Sequence, residues 1–414
     1  MIKYLLILFF IINNNGYLAQ KNSFKYYVDT LSSDSFFGRG YVNQGHTKAA
    51  NYIANEFAEI GLKPKNGNQF FQKFNIDVNT FPGKVEVTLS NKKLNPGIDF
   101  IVDPSSGSAK GTYELINVNL QNWKSVIKNE NFISTKKAFL LDISDVLDRD
   151  TLAMYRELKF RLAQLAPLVL LTNEKLTWSL SNFEINFPLL VINKSIFDTN
   201  QKSIDLNIEN EFKKSLISQN VIGFLSGKKS KYIIISAHYD HLGMMGSAIF
   251  PGANDNASGV SLLMNLAKYY HNKNTKYNML FICFGAEEIG LLGSKFFNEF
   301  PLIKMSKIKL VLNLDIVGTG IEGIALVNAL EQKKYAKKIG AINKEISAFE
   351  KVKIRGQAPN SDHYWFSVNN VPSIFLYTLG GIKAYHDPLD KAQTLPLNKI
   401  YSLMNLITRF LKEV

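Results

Sequence analysis

Residues able to ligate metal or move protons stand where apolar runs of this chain end. His238 follows KYIIISA, Glu287 and Glu288 follow YNMLFICFGA, and Asp315 follows IKLVLNL, while Asp255 lies in GANDNASG and His386 in AYHDPLD. Nitrogen and oxygen donors mixed in this way suit a pair of borderline metal ions such as zinc. The adjacent carboxylates Glu287 and Glu288 would repel each other unless a metal or a proton neutralises one, so one can hold metal while its unligated neighbour accepts a proton from bound water. Asp315 ends an apolar run, where an unpaired charge is expensive. Asp240 stands two residues beyond His238, a spacing that lets a carboxylate fix the neighbouring imidazole.

Each of these residues has a plainer reading when taken alone. Asp255 would be a helix N-cap and His386 a surface histidine. In its favour as a ligand, Asp255 follows Gly252 and Ala253, which allow tight backbone approach, and its side chain can bridge two ions. The ordered set of six, and no single member, points to metal chemistry.

The elements that must position these side chains follow from periodicity. Tyr232 to Ser236, Met279 to Phe284, Ile308 to Leu314 and Ser373 to Tyr377 are short, apolar and bounded by polar or glycine residues, as buried strands are. Each of the first three delivers polar residues at its C-terminal end, where open α/β sheets carry their chemistry. Helical patterns separate them: VSLLMNLAKYY after Gly259, Gly290 to Phe300, Lys333 to Phe349, and Leu397 to Val414. Strands alternating with helices predict an α/β fold, a mostly parallel mixed sheet sandwiched by helices. Upstream, Thr47 to Ile60 places Ala50, Ile53, Ala54, Phe57 and Ile60 on one helical face, with Thr47 as its cap and Gly61 as its stop. Before it, Arg39 in SSDSFFGRG reads equally as a charged anchor against the core or as a solvated loop residue.

At 414 residues and 46% apolar content the chain can bury a large core, and one domain with an insertion is expected. The net charge of +13 comes from scattered lysines, among them the pairs Lys92-Lys93 and Lys213-Lys214, and not from a basic stripe interleaved with aromatics. Nucleic-acid binding is therefore not expected. The single cysteine, Cys283, sits inside an apolar strand and reads as a small buried side chain. At the N-terminus Lys3 precedes an apolar run from Tyr4 to Ile12, too short to span a bilayer. Residues 1–19 therefore read as a cleaved signal peptide, which predicts export, to the medium or the periplasm, without a stable membrane span in the mature protein. Short apolar runs between Val85 and Ile217 alternate with turns and enclose one helical pattern, Thr151 to Leu165. This predicts a smaller β-rich insertion over 91–214, with the catalytic unit made of 20–90 and 215–414. The insertion reads either as a lid or substrate selector or as a stabilising addition.

The blocks SAHYDHLG, GANDNASG, FGAEEIGLLGS, LNLDIVG, NSDHYWF and YHDPLD, in this order, resemble those of the secreted zinc metallopeptidases that include aminopeptidase S, aminopeptidase Y and glutamate carboxypeptidase. LSSDSFFGRG and AANYIANEFAEIGLKP resemble the opening of that family, and the region from Val85 to Ile217 resembles its protease-associated insertion in element order alone. The resemblance implies a zinc exopeptidase-like fold and two zinc ions per chain. Asp255 would bridge them, His238 and Asp315 would complete one site, and Glu288 and His386 the other. It further implies Glu287 as general base, Asp240 as orienter of His238, a cis peptide between Asp255 and Asn256, and Ser361, Asp362 and His363 as pocket-shaping residues. Asn254 departs from the aspartate common at that position. The implied substrate is a peptide, cleaved most naturally from its free N-terminus, since a carboxylate-rich cleft can meet an ammonium group. A carboxypeptidase or dipeptidase, with Arg355 as a candidate for the terminal carboxylate, a one-metal glutaminyl cyclase and a non-catalytic binding module are the alternatives on this scaffold.

Overall fold

The computed structural model describes residues 23–129, 136–198 and 200–414. The expected signal peptide, 1–19, lies outside the described residues. Among the described residues no helix is long and apolar enough to cross a membrane.

Three consecutive isoleucines explain the layering of the main sheet. In the strand Lys229–His238, Ile233 and Ile235 point into one apolar core and Ile234 into another, all three buried. A strand with no polar face must be covered on both sides, and each such side chain removed from water contributes roughly 1.5–3 kcal/mol. One face is covered by the helices Gly45–Ile60, Ser258–His271, Lys333–Ile346 and Ile400–Glu413, the other by Leu292–Glu299 and His363–Val368 through Phe297 and Phe366. The nine-stranded sheet is mixed, as expected. Its centre is parallel, with Tyr277–Phe284, Lys229–His238, Ile308–Leu314 and Ser373–Leu379 side by side. Antiparallel strands flank that centre: Glu211–Leu225 on one side and Gly323–Val327 on the other.

The first amphipathic helix runs Gly45–Ile60 and buries the predicted face, Ala50, Ile53, Ala54, Phe57 and Ile60. Its N-terminal cap position is Gln44 and not Thr47, which lies inside the first turn with its hydroxyl 3.2 Å from His46 Nε2. Gly61 ends the helix as expected, at φ 89, a left-handed conformation that glycine adopts without a Cβ penalty.

A second sheet of eight strands is formed between Val85 and Ile208, where Val85–Leu89 pairs with Ser203–Ile208. The helix Arg149–Ala163 packs on one of its faces, and its N-cap is Asp148, whose carboxylate accepts the Thr151 N–H. The other face shares a core with Leu242, Met245 and Phe250 from the main-sheet unit. This sheet is thus packed directly against the segment that leads to Asp255.

Candidate metal centre

Strand register brings the first donors together. His238 is the last residue of its strand and stands opposite Phe284, so Gly285 to Glu288 emerge beside it. On the other side Ser236 pairs with Asn313, which puts Asp315 at the same level as His238. Ser236 Oγ donates to Asn313 Oδ1 at 2.7 Å, and Asn313 Nδ2 donates to Ser361 Oγ at 2.8 Å. Ser361 Oγ in turn donates to Asp315 Oδ2 at 3.0 Å, so a buried polar chain aims the Asp315 carboxylate.

Asp255 lies in the turn Ala253–Ala257 ahead of the helix Ser258–His271, and its peptide bond to Asn256 is cis, as the resemblance implies. The helix receives no side-chain cap bond at its cap residue, Ala257; the Asp255 carboxylate faces two imidazoles instead. Gly252, at φ 58, is required there, because a Cβ would come within 2.2 Å of the Asp255 carbonyl oxygen and 2.4 Å of the His241 ring.

The five proposed ligands converge. Asp255 Oδ1 lies 3.2 Å from His238 Nε2, and Asp255 Oδ2 lies 3.3 Å from His386 Nε2. Asp315 Oδ1 is 3.2 Å from His238 Nε2, and Glu288 Oε2 is 3.1 Å from His386 Nε2. Donor atoms of His238, Asp255 and Glu288 lie within 4.8 Å of one another, as do those of His238, Glu287 and Asp315. Glu287 thus stands beside the His238 and Asp315 donors, close enough to ligate an ion or to reach water bound to it.

This donor set fits a divalent cation. The buried carboxylates of Asp240, Asp255, Glu288 and Asp315 crowd one site together with the half-buried Glu287, and the imidazoles must supply the compensating charge. Burial opposes a charge on His386, but the carboxylates of Glu288 and Asp255 outweigh it and raise the imidazole to about 11. His238 is likewise held well above the usual imidazole range: burial lowers it, and Glu287 and Asp315 more than reverse the effect. Burial, reinforced by Glu288, Asp362 and Asp315, pushes the Glu287 carboxyl well above the usual range. A cation between these groups would relieve the repulsion and displace the imidazole protons.

Asp240 departs from the expected contact. Its backbone carbonyl, at 3.1 Å, accepts from His238 Nδ1, while its carboxylate is 4.0 Å from that nitrogen. The carboxylate receives the N–H groups of Glu287 at 3.1 Å and Glu288 at 3.4 Å, and the Tyr41 hydroxyl at 3.4 Å. Burial pushes this carboxyl up to about 6.

Arg39 is the anchor of the two readings open to it. It is fully buried and donates to the carbonyls of Leu31, Tyr239, Pro251, Gly252 and Asp255, tying the loops that carry Asp240 and Asp255 to the N-terminal segment. Cys283 is buried and burial pushes its thiol up, as suits a core side chain. Arg355 donates to the Tyr377 hydroxyl at 2.8 Å. Asp362 and His363 are fully buried beside Ser361.

Sequence reasoning missed two residues of the site. His241 Nδ1 lies 2.6 Å from Glu288 Oε1, on the carboxylate oxygen that His386 does not face. Asp390 accepts the N–H groups of Asn254 at 2.8 Å and Asp255 at 3.0 Å, fixing the turn that aims Asp255. A signal for His241 existed in the second histidine of SAHYDHLG; Asp390, 135 residues from its partner, had none.

The chain is similar to known peptidases. Residues 220–411 match the profile described as peptidase family M28. The chain is 28% identical over 385 residues to the aminopeptidase YwaD of Bacillus subtilis, covering 88% of this chain and 79% of that protein. The fold is that of a zinc aminopeptidase from Bacillus subtilis, with a TM-score of 0.70, 22% identity, and coverage of 95% of this chain and 94% of the other. An aminopeptidase from Aneurinibacillus sp. strain AM-1 gives a TM-score of 0.64 at 22% identity, over 95% and 93% of the two chains.

Proposed function

We propose that this chain, whose residues 220–411 match peptidase family M28 and which is similar to an aminopeptidase along most of its length, is a zinc-dependent metallopeptidase, an exported aminopeptidase holding two zinc ions. The observation that carries this reading is the placement of Asp255, whose two carboxylate oxygens face different imidazoles, those of His238 and His386. In this reading Asp255 would be shared by the two ions, His238 and Asp315 would hold one, and Glu288 and His386 the other. When bound, zinc would supply Lewis acidity toward the scissile carbonyl and the attacking water.

The remaining work belongs to side chains of this chain. The Glu287 carboxylate takes a proton from the attacking water and returns it to the departing amine nitrogen. Asp240 holds the Glu287 peptide through the N–H and aligns His238 through its carbonyl. The acidic character of the site favours a substrate carrying a free ammonium group, and the likeness to the aminopeptidase YwaD supports the same choice. Export rests on the apolar run at the N-terminus.

The test is hydrolysis of one peptide series offered free, N-acetylated and C-amidated. The free and C-amidated peptides should be cleaved from the N-terminus and the acetylated one spared. Equal cleavage of the acetylated peptide would overturn the aminopeptidase assignment.

A further inference from the structure

Of the five proposed ligands, His386 is the one carried by a loop remote from any strand end or helix start, and its backbone adopts φ 53. A ligand so placed needs support from outside its own segment. That support comes from the second sheet unit. The Trp178 N–H donates to the His386 carbonyl at 3.0 Å, and His386 Nδ1–H donates to the Trp178 carbonyl at 2.8 Å. A carbonyl only accepts, so this contact keeps the proton on Nδ1 and leaves Nε2 facing Asp255 and Glu288.

Lys175 closes the same loop from both sides of the histidine. Its Nζ donates to the carbonyls of Lys383 at 2.9 Å and Tyr385 at 3.1 Å and pairs with Asp387 Oδ2 at 2.5 Å. Trp178 itself is braced: its side chain is buried, Nε1 donates to the Val102 carbonyl at 2.8 Å, and its ring lies 4.7 Å from that of Phe250. Phe250 immediately precedes Pro251 and Gly252, whose carbonyls Arg39 holds on the approach to Asp255. The segment is therefore tied through Trp178 to the second sheet, to the His386 loop and to the approach to Asp255, and through Lys175 to the His386 loop again.

We infer that segment 175–178 of the insertion is a positioning clamp that sets the tautomer and placement of His386 as a metal ligand. The clamp rests on the assignment of His386 to zinc. It makes the insertion a structural part of the metal centre: Lys175 and Trp178 act through His386 and touch no reacting atom.

The test uses the full zinc-loaded chain and the variants Lys175→Met, Trp178→Ala and Trp178→Phe. Zinc retained per chain is measured in a graded zinc buffer, with kcat at saturating zinc and the melting temperature of the chelated protein. Lys175→Met and Trp178→Ala should weaken one of the two ions about tenfold or more, with kcat recovering at saturating zinc. Trp178→Phe, which keeps the ring packing, should retain zinc better than Trp178→Ala. The melting temperature of chelated Lys175→Met should match the parent, separating ligand placement from folding. If the parent holds two ions and both Lys175→Met and Trp178→Ala retain them as it does, the clamp is overturned and the zinc assignment stands. A parent that holds no zinc overturns both.

Discussion

Asp240 Oδ1 accepts the backbone N–H of Glu287 at 3.1 Å, so the residue that aligns His238 also fixes the peptide carrying the proposed base. Three donors converge on this carboxylate, from Glu287, Glu288 and Tyr41, and only an acceptor satisfies them all. Asp240→Asn presents an NH2 group to one of those donors. The variant should keep both ions at saturating zinc and lose about 10- to 100-fold in kcat. Zinc content and turnover measured together check this, and full turnover would remove Asp240 from the account.

Glu287→Gln tests the base. The amide keeps the shape of the side chain but cannot accept a proton, so zinc should remain bound while kcat falls about 10²- to 10⁴-fold. Loss of one ion from this variant would show that Glu287 is a ligand, a role its proximity to His238 and Asp315 also permits.

The pH dependence of stability has a definite sign. His386 in the metal-free fold is raised to about 11 from an ordinary 6.5, so the unfolded chain releases a proton that the fold retains. Its contribution is complete below about pH 6.5 and is lost progressively as pH rises toward about 11. Zinc held by His386, as proposed, would replace that proton, so its affinity should rise with pH. The gap in melting temperature between zinc-loaded and chelated protein should therefore widen from pH 6.5 to 9. Parallel curves would contradict the assignment of His386.

The sequence was most legible where chemistry coincides with strand ends. Buried strands are short apolar runs, and the polar residue that ends each run is forced to one edge of the sheet, so His238, Glu287, Glu288 and Asp315 could be placed together from pattern alone. Asp255 and His386 had plausible local readings as cap and surface residue, and only their partners decide otherwise. Arg39 shows the same limit, since an arginine in a glycine-rich turn carries no mark of the five carbonyls that surround it. Asp390, Lys175 and Trp178 were invisible because their roles are hydrogen bonds to distant backbone atoms, which constrain no residue type at the partner position. Thr47 is not the cap because the chain enters that helix through Gln44 in a left-handed conformation, three residues before the position the side-chain signal suggests.

Anomalous diffraction at the zinc edge, from crystals of the zinc-loaded chain, tests the central claim most directly. Two peaks are predicted, one on each side of the Asp255 carboxylate, the first beside His238 and Asp315 and the second beside Glu288 and His386, both lost together in Asp255→Ala. A single peak, or a pair that survives the removal of Asp255, would contradict it.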